Sequence, residues 1–454
     1  MYKASFYTLG CKVSLYETEA VAEKFEKLGF QTVPFGECAD VTVINTCTVT
    51  AESDAKSRKY IRRAHRISPD GKIIVVGCYS QRAPSEVASL PGVACVLGTK
   101  DKMTAPDIAL SLLSGELTQP IVNVTELSGA DFEPMQVKSP KRTRGFVKIE
   151  DGCECKCTYC AISAARGPVR SKPREDVLRE VSHLYDAGVC EVVLTGIETA
   201  SYGADFKEKY TLGELISDIG ALCPNIRVRL GSMAPELLTR DFIDRVSAES
   251  CMVPHFHISM QSASDKILRL MKRRYSLKMA LDNIDYAKEK MPRLMLTADF
   301  MVGFPGEDDE DFQATLDFVS RAGLLSAHVF AYSRRDGTPA ASYDRQIPDA
   351  VKRERSRALI KECQRVGDGV LRSVVESGEM LRVIFEEKCD GGYIGHSDSY
   401  IEVVAECERD VSGELHAVIP ESHRNGIIYG KIADFNNQSL HLSQKEKGYK
   451  NEEH

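Results

Sequence analysis

The sequence lacks tryptophan altogether, and aromatic residues make up only 7% of its 454 residues. No charge-free apolar run approaches the ~18 residues that a membrane helix needs. The first residues, MYKASFYTLGCKV, also lack the basic and then apolar segments of a secretion signal. These absences argue against a membrane or secreted protein and predict a cytoplasmic one. Hydrophobic residues at 43% and charged residues at 28% are typical of a globular chain.

Neither sign of charge is in large excess, because the formal net charge is −7. This balance excludes a protein that coats nucleic acid indiscriminately, although local basic patches could still guide RNA. Cysteine, in contrast, is abundant, with 15 residues. In a reducing cytosol these thiols serve metals or catalysis more often than disulfides.

Alternating apolar and amphipathic stretches predict three domains in an α/β chain. Residues 1–135 read as a Rossmann-like parallel α/β domain. Residues 136–375 begin within a polar linker at 128–144 and, from residue 145, repeat the alternation six times, which predicts a partial (β/α)6 barrel. Short, closely spaced β segments in 376–443 predict a small closed β barrel, and 444–454 form a polar tail.

The predicted strands give the positions of these domains' elements. They are 4–9, 41–45, 72–77 and 94–98 in the first domain; 146–150, 191–196, 227–232, 255–260, 296–303 and 327–332 in the second; and 380–386, 400–404, 415–419 and 427–432 in the third.

The most specific motif is GCECKCTYC at 152–160, directly after the first strand of the second domain. Cys153, Cys157 and Cys160 form C-x3-C-x2-C, with which one loop can bind three irons of a [4Fe–4S] cluster. The fourth iron then has no protein ligand and can bind a small molecule that receives an electron. The alternative is a four-cysteine zinc site that includes Cys155. Zinc sites rarely follow the first strand of such a barrel, so we expect that Cys155 is not a ligand.

Three further cysteines, Cys11, Cys47 and Cys78, each follow a predicted strand of the first domain. Because the carboxyl ends of parallel strands meet at one edge of a sheet, these thiolates can meet at one site. A second three-cysteine cluster site is therefore expected. The alternative is three free cysteines packed in the core.

Basic tracts are the remaining feature of the sequence. One covers a predicted helix near 56–66, one the linker near 138–148 and one residues 269–274. Each tract alone is compatible with a solvated helix face, but three tracts and a terminal β barrel favour RNA. The candidate RNA contacts are Arg58, Lys59, Arg62, Arg63, Arg66, Lys141, Arg142 and Arg144.

With both cysteine sets in place, the sequence resembles the methylthiotransferases of the radical S-adenosylmethionine superfamily over nearly its whole length. That family joins an N-terminal cluster domain, a radical barrel and a C-terminal TRAM domain. The segments TLGCKV (8–13), LTGI (194–197), RLGS (229–232) and HVFAYSRRDGTP (328–339) are similar to its MtaB branch. Ser14 stands where the family usually has Asn, and Ile-Ser-Ala (162–164) replaces the usual Ile-Pro-Tyr.

The resemblance implies two [4Fe–4S] clusters and S-adenosylmethionine as cofactors. Cys11, Cys47 and Cys78 would hold the auxiliary cluster, and the 153–160 loop would hold the radical cluster. Glu198, which ends a strand, could accept hydrogen bonds from the methionine ammonium, although a solvent-exposed acidic turn is an equal alternative. Gly303 could equally serve only a tight strand-to-helix turn. The candidate contacts to S-adenosylmethionine are Tyr159, Gly196, Glu198, Arg229, Ser232, Gln261 and Gly303.

The reaction implied is conversion of N6-threonylcarbamoyladenosine, beside a tRNA anticodon, into its 2-methylthio form. One S-adenosylmethionine methylates a sulfur on the auxiliary cluster, and reductive cleavage of another gives a 5′-deoxyadenosyl radical that takes the hydrogen from adenine C2. An electron donor such as flavodoxin or ferredoxin is implied. The alternatives are isopentenyl-adenosine in tRNA, an aspartate of a ribosomal protein, and a zinc-stabilised RNA-binding scaffold without turnover.

Overall fold

The computed structural model describes residues 1–117 and 120–433. The expected polar tail at 444–454, and the last ten residues of the expected third domain, lie outside these residues. Within them, no helix is both long and apolar enough to cross a membrane.

The first domain is a six-stranded sheet with helices between its strands. All of its strand pairs are parallel, and the strand order is β2-β1-β3-β4-β5-β6. The three-residue edge strands β2 and β6 were not expected, because so short a run carries no periodicity. The elements are β1 Lys3–Thr8, α1 Lys12–Lys27, β2 Gln31–Val33, β3 Val41–Thr46, α2 Ala51–Ile67, β4 Lys72–Gly77, α3 Cys78–Arg82, α4 Pro84–Ala88, β5 Val93–Leu97, α5 Ala105–Ser114 and β6 Ile121–Asn123.

The second domain carries six β/α units, as expected, and they form an open barrel of two sheets. Their strand orders are β11-β10-β7 and β12-β13-β14-β15, and the pairs within each sheet are parallel. The elements are β7 Gly145–Lys148, β8 Glu150–Asp151, α6 Ile162–Arg166, β9 Arg170–Ser171, α7 Arg174–Asp186, β10 Glu191–Thr195, α8 Leu212–Leu222, β11 Arg227–Leu230, β12 Ser232–Met233, α9 Arg240–Ser247, β13 His255–Gln261, α10 Asp265–Leu270, α11 Leu277–Lys290, β14 Met295–Val302, α12 Asp309–Ala322, β15 Ser326–Ala331 and α13 Asp349–Ser377.

Helix caps explain where several of these helices begin. Thr211 caps α8 in a capping box with Glu214, and Asp308 caps α12 with Asp311. Each pair satisfies two backbone N–H groups that have no partner inside the helix. The barrel strands and these helices share the largest hydrophobic core.

The third domain is a closed five-stranded barrel in the order β16-β17-β18-β20-β19. Its elements are β16 Leu381–Cys389, β17 Gly392–Ser397, β18 Glu402–Glu406, β19 Leu415–Arg424 and β20 Ile427–Ile432. Four of these strands match expectation, and β17 is additional. The expected fold class is therefore confirmed. The domain boundaries near 135 and 375 stay a prediction; α13 runs continuously across the second one.

Candidate active site

The three cysteines of the first domain lie at the carboxyl ends of neighbouring strands. Cys11 follows β1 and directly precedes α1, Cys47 follows β3, and Cys78 begins α3 after β4. Gly10 has a φ of +127°, and a Cβ built there would lie 3.3 Å from Cys47 Cβ. A glycine at this position therefore lets the loops that carry Cys11 and Cys47 approach each other.

The environment of these thiols fits an iron–sulfur cluster. Cys11 is exposed, Cys47 is half-buried and Cys78 is buried. Burial raises the pKa of Cys78 to about 11 and also raises that of Cys47, and the neighbouring thiols add to both shifts. Buried thiols such as Cys47 and Cys78 resist ionisation, so a bound metal would hold them as thiolates. One face stays open through Cys11.

Arg166 of the second domain reaches this site. Its Nε lies 3.1 Å from Cys78 Sγ and donates a hydrogen bond to it. Arg166 is fully buried and ends α6, the helix that follows the 153–160 loop. Arg166 thus links the helix that follows the 153–160 loop to the cysteine site of the first domain.

A buried ion network surrounds Arg166. Its guanidinium lies 2.5 Å from a Glu17 oxygen and 3.1 Å from an Asp151 oxygen. Lys148 lies 2.7 Å from Glu17 and 2.6 Å from Asp151, and Lys102 lies 3.2 Å from Glu17. Burial opposes ionisation, but the three cations hold the pKa of Glu17 well below its usual range. The network joins the first domain to the second.

The 153–160 loop is the second cysteine site and lies directly after β8. Gly152 has a φ of +93°, and a Cβ there would lie 1.9 Å from the Pro168 carbonyl oxygen. Only glycine therefore allows the loop to leave the strand. Arg273 donates to Cys157 Sγ at 3.4 Å, and the Ile162 N–H donates to Cys160 Sγ at 3.3 Å.

The zinc alternative requires four sulfurs close enough to share one ion. Among the described residues, the one group of three or more possible ligands within 4.8 Å of one another is His257, Asp299 and His328, and it contains no cysteine. Among the described residues, no three of the loop thiols thus lie within 4.8 Å of one another, which favours a cubane, whose thiolates bind different irons, over a single zinc ion.

The carboxylate expected to bind the methionine ammonium is buried beside this loop. Glu198 is 6% exposed, so the alternative of a solvent-exposed acidic turn is wrong. Burial, and then the nearby Cys155, raise its pKa to about 8. Buried polar atoms without a partner among the described residues lie around it: Glu150 Oε1, Thr199 Oγ1, Glu236 Oε2 and Arg273 Nε. Such unsatisfied groups fit a polar ligand such as S-adenosylmethionine.

Other expected cofactor contacts also lie at strand ends. The hydroxyls of Ser232 and Ser259 lie 2.5 Å apart at the start of β12 and within β13. Gln261 ends β13 with a φ of +60°, a conformation that costs a non-glycine residue energy and is common at functional sites. Tyr159 packs beside Phe304, and a Cβ at Gly196 would lie 2.5 Å from Glu150 Oε2.

Two expected cofactor contacts have other roles. Arg229 is buried, and its guanidinium binds Glu191 at 2.6 Å and the Ser397 carbonyl at 3.1 Å. Arg229 points to the third domain, because Glu191, which compensates its charge, is the first residue of β10. That residue lies at the end of the barrel opposite the cysteine loop. Gly303 gives its N–H to Glu307, and a Cβ there would lie 2.3 Å from Lys352 Cγ. Its glycine is thus required by a tight turn.

The expected RNA contacts divide into two groups. On α2, Lys59, Arg62, Arg63 and Arg66 are exposed, whereas Arg58 is half-buried and pairs with Glu86. This face stays a predicted RNA surface.

The linker tract differs from the prediction, because its cations are paired within the protein. Lys141 and Arg142 bind Glu26 and Glu19 of α1 at 3.0 and 3.1 Å. The Arg144 side chain is only 16% exposed and binds Glu386 at 3.3 Å. The linker thus uses its charge to attach to the first domain at α1 and to the third domain at β16, where acidic side chains permit the pairing.

Sequence reasoning missed the arginines that contact cysteine sulfur. Arg273 was expected to contact phosphate, but it is held at Cys157 and at the Ser259 carbonyl, 3.1 Å away. Arg166 carried no signal in the sequence. Arg335, which binds Asp54 at 2.6 Å and Thr48 at 2.7 Å, lies within the 328–339 motif, and that motif could have indicated it.

Comparison with known proteins agrees with this geometry. The description "Radical SAM superfamily" matches residues 147–319, and "Uncharacterized protein family UPF0004" matches residues 3–98. A radical S-adenosylmethionine methyltransferase structure, TsrM from Kitasatospora setae, shares the fold with a TM-score of 0.56 and 14% identity over 75% of each chain. The fold and the cysteine loop thus define a radical S-adenosylmethionine protein.

Closer relatives define the family. The threonylcarbamoyladenosine tRNA methylthiotransferase MtaB of Bacillus subtilis is 38% identical, with 91% of this chain and 93% of the relative covered. The MtaB of Thermotoga maritima is 35% identical, with 93% and 95% covered. The tRNA-2-methylthio-N(6)-dimethylallyladenosine synthase of Carboxydothermus hydrogenoformans is 35% identical, with 80% and 83% covered.

The chain belongs to the radical S-adenosylmethionine methylthiotransferase family, in its MtaB branch. It is therefore a transferase whose cofactors are S-adenosylmethionine and two [4Fe–4S] clusters.

Glu17→Gln should strongly destabilise the protein, because it leaves Arg166, Lys148 and Lys102 with too little negative charge. We expect a loss of about 3–5 kcal/mol in the free energy of unfolding by calorimetry. Glu26→Gln removes an exposed pair with Lys141 and should cost about 0–1 kcal/mol.

The same pair of variants tests the pH dependence. Since folding lowers the pKa of Glu17, its contribution is complete above about pH 5 and declines as the pH falls through the folded pKa. The difference between wild type and Glu17→Gln should shrink in acid. If Glu17→Gln and Glu26→Gln lowered the free energy of unfolding equally at neutral pH, this result would contradict the stabilising role of the network.

Cys155→Ser should keep the iron and the activity, since Cys153, Cys157 and Cys160 supply the three thiolates. Changing those three to Ala should lower the iron of the reconstituted protein from about eight to about four atoms per chain and abolish cleavage of S-adenosylmethionine. Iron analysis and detection of 5′-deoxyadenosine check both results. Loss of four irons in Cys155→Ser would show that Cys155 is a ligand.

Proposed function

We propose that this protein converts N6-threonylcarbamoyladenosine, next to the anticodon of tRNA, into its 2-methylthio derivative. The observation that supports this most is the contact between Arg166 and Cys78, because it places the end of one cysteine loop's helix against the other cysteine site. A radical and a sulfur carrier must act on the same carbon, so the two sites have to open on one cleft.

We assign Cys153, Cys157 and Cys160 to the radical cluster, and Cys11, Cys47 and Cys78 to the auxiliary cluster. When bound at the radical-cluster site, S-adenosylmethionine supplies a carbon radical. This radical removes hydrogen from a C–H bond that is too weakly acidic for side-chain bases.

The protein's own residues bind and orient these groups. Glu198 is a buried acceptor with no cation paired to it among the described residues, so it can receive the methionine ammonium. Burial raises the pKa of Glu198 and so disfavours its charged form. An incoming methionine ammonium would stabilise the carboxylate. Arg273 holds Cys157 in place, and its stacking on Tyr275, 5.1 Å from the ring centroid, orients the guanidinium.

The tRNA would contact the exposed basic face of α2, which begins four residues after Cys47. Phosphate contacts there would supply affinity without choosing a sequence. The closed C-terminal barrel offers a second surface of a kind that binds nucleic acid. We further propose that the protein acts in the cytoplasm and takes electrons from a small carrier such as flavodoxin or ferredoxin.

Changing Cys11, Cys47 and Cys78 together to Ala should separate two activities. The radical loop lies in the other domain, so 5′-deoxyadenosine should still form, whereas the methylthio nucleoside should not. Mass spectrometry of digested tRNA, with the wild type as control, measures both. Product formation by this variant would contradict the assignment of the sulfur carrier.

Changing Arg62 and Arg63 to Glu should weaken tRNA binding by about tenfold or more, and lower the salt dependence by about one unit of slope per lost phosphate contact. Arg353→Glu with Arg357→Glu makes the same charge change on an exposed face of α13 and serves as control. Filter binding at several salt concentrations measures both, and equal losses would remove α2 as the specific surface.

The substrate itself is tested by offering three tRNAs. The wild type should modify tRNA that carries the threonylcarbamoyl group, and not unmodified or isopentenylated tRNA. Equal activity on the three, or modification of a ribosomal protein, would contradict the proposed substrate and leave the two-cluster assignment intact.

A further inference from the structure

Strand β15 exposes an aromatic and an imidazole ring on the inner face of the barrel. Ala327 and Val329 point outward and pack against the main core, so the alternating residues His328 and Phe330 point inward. Yet the His328 side chain is 72% exposed, and Phe330 is 46% exposed. β15 is the edge strand of its sheet, so both rings border the open side of the barrel.

These two rings lie between the cysteine sites. Phe330 is paired in register with Met301, and Met301 packs in the same cluster as Tyr159 of the radical loop. Three residues after Phe330, the Ser333 hydroxyl accepts a hydrogen bond from the N–H of Ala51, which lies four residues after Cys47. A molecule that rests on Phe330 is therefore near both sites.

His328 is held in one orientation by the neighbouring strand. Its Nδ1 lies 3.1 Å from Asp299 Oδ1, and His257 Nε2 lies 3.1 Å from the same oxygen. Thr297 bonds the other nitrogen of His257 at 2.7 Å. This leaves Nε2 of His328 directed away from Asp299, with no partner among the described residues.

We propose that His328 and Phe330 form the nucleoside seat, in which the target adenine stacks on Phe330 and the Nε2–H of His328 binds the carboxylate of the N6 substituent. The inference rests on the proposed function and adds the residues that recognise its substrate. Aromatic side chains stack on bases, and a charged imidazole donates a strong hydrogen bond to a carboxylate.

The spacing of the strand agrees with this arrangement. His328 and Phe330 are two residues apart, about 7 Å along the strand, which is comparable with the reach of a threonylcarbamoyl group from its base. Phe330 pairs with Met301, which packs in the cluster of Tyr159 from the radical loop, whereas His328 lies two residues nearer the start of β15 and pairs with Asp299. Because C2 and C6 of adenine flank N1, a base whose C6 substituent points towards His328 keeps C2 nearer the loop.

The charge of His328 also suits an anionic substituent. The hydrogen bond to Asp299 raises its pKa, while burial and the charge of Lys12 on α1 act against this. His257 faces the same carboxylate from β13. Recognition of the carboxylate should therefore weaken as the pH rises through the pKa of His328.

The test compares two anticodon stem-loops, one with N6-threonylcarbamoyladenosine and one with unmodified adenosine, by binding to the cluster-loaded protein. His328→Ala should reduce the wild-type preference for the modified loop about tenfold or more, and leave binding of the unmodified loop unchanged. His183→Ala, an exposed histidine on α7, is the control. Phe330→Leu should weaken both loops about tenfold, and Phe330→Tyr should not.

Asp299→Asn provides a readout that lost packing would not produce. It keeps a polar side chain beside His328 but removes the charge that favours the imidazolium, so the pH at which the preference declines should fall. An unchanged pH profile would overturn the role given to this pair.

Each remaining outcome has one meaning. A wild type without preference for the modified loop contradicts the proposed substrate and this inference together. A wild-type preference that survives His328→Ala overturns the inference alone. One zinc ion per chain, lost in His257→Ala, would instead assign His257, Asp299 and His328 to a metal site.

Discussion

The buried ion network around Arg166 is the interaction on which the two-site arrangement depends. Two carboxylates and three cations are removed from water at the contact between the first and second domains. Burying charge is costly unless the partners are well placed, so the network favours the relative position of the domains in which these pairs form. That position brings the guanidinium of Arg166 to Cys78. Further pairs, such as Arg335 with Asp54, hold the same interface elsewhere.

This constraint has a chemical consequence. The first domain presents its cysteines at the carboxyl ends of parallel strands, and the second presents its cysteine loop after β8, shortly beyond the end of the parallel strand β7. Loops at such ends are free to vary without disturbing the sheet. The contact between the domains holds the Cys78 site against the helix that follows the 153–160 loop, as the proposed reaction requires. The exposed rings on β15 border the open side of the barrel, because the edge strand of an incomplete barrel has no further strand beside it. An enzyme that must admit a nucleotide of a large RNA benefits from such an opening.

Most element positions, and both cysteine sets, could be predicted from the sequence, since periodicity and local spacing are properties of short segments. The predicted roles that the structure does not support belong to residues whose partner is distant in the sequence. Arg144 and Arg229 were taken as ligand contacts because of their charge and position. Both are neutralised by acids from other strands, Glu386 and Glu191. Arg273 was expected to contact phosphate but contacts Cys157, because a tract of basic residues does not show which of its members points inward.

By itself, the sequence determined the C-x3-C-x2-C loop, the placement of Cys11, Cys47 and Cys78 after strands, and the alternation that produces three domains. These features are local, because one loop or one strand and its turn encode them. Only the tertiary structure decided that β1, β3 and β4 are neighbours, so that three cysteines far apart in the chain meet. It also decided that Arg166 joins the two sites, since the pairing of buried charges depends on how whole domains pack together.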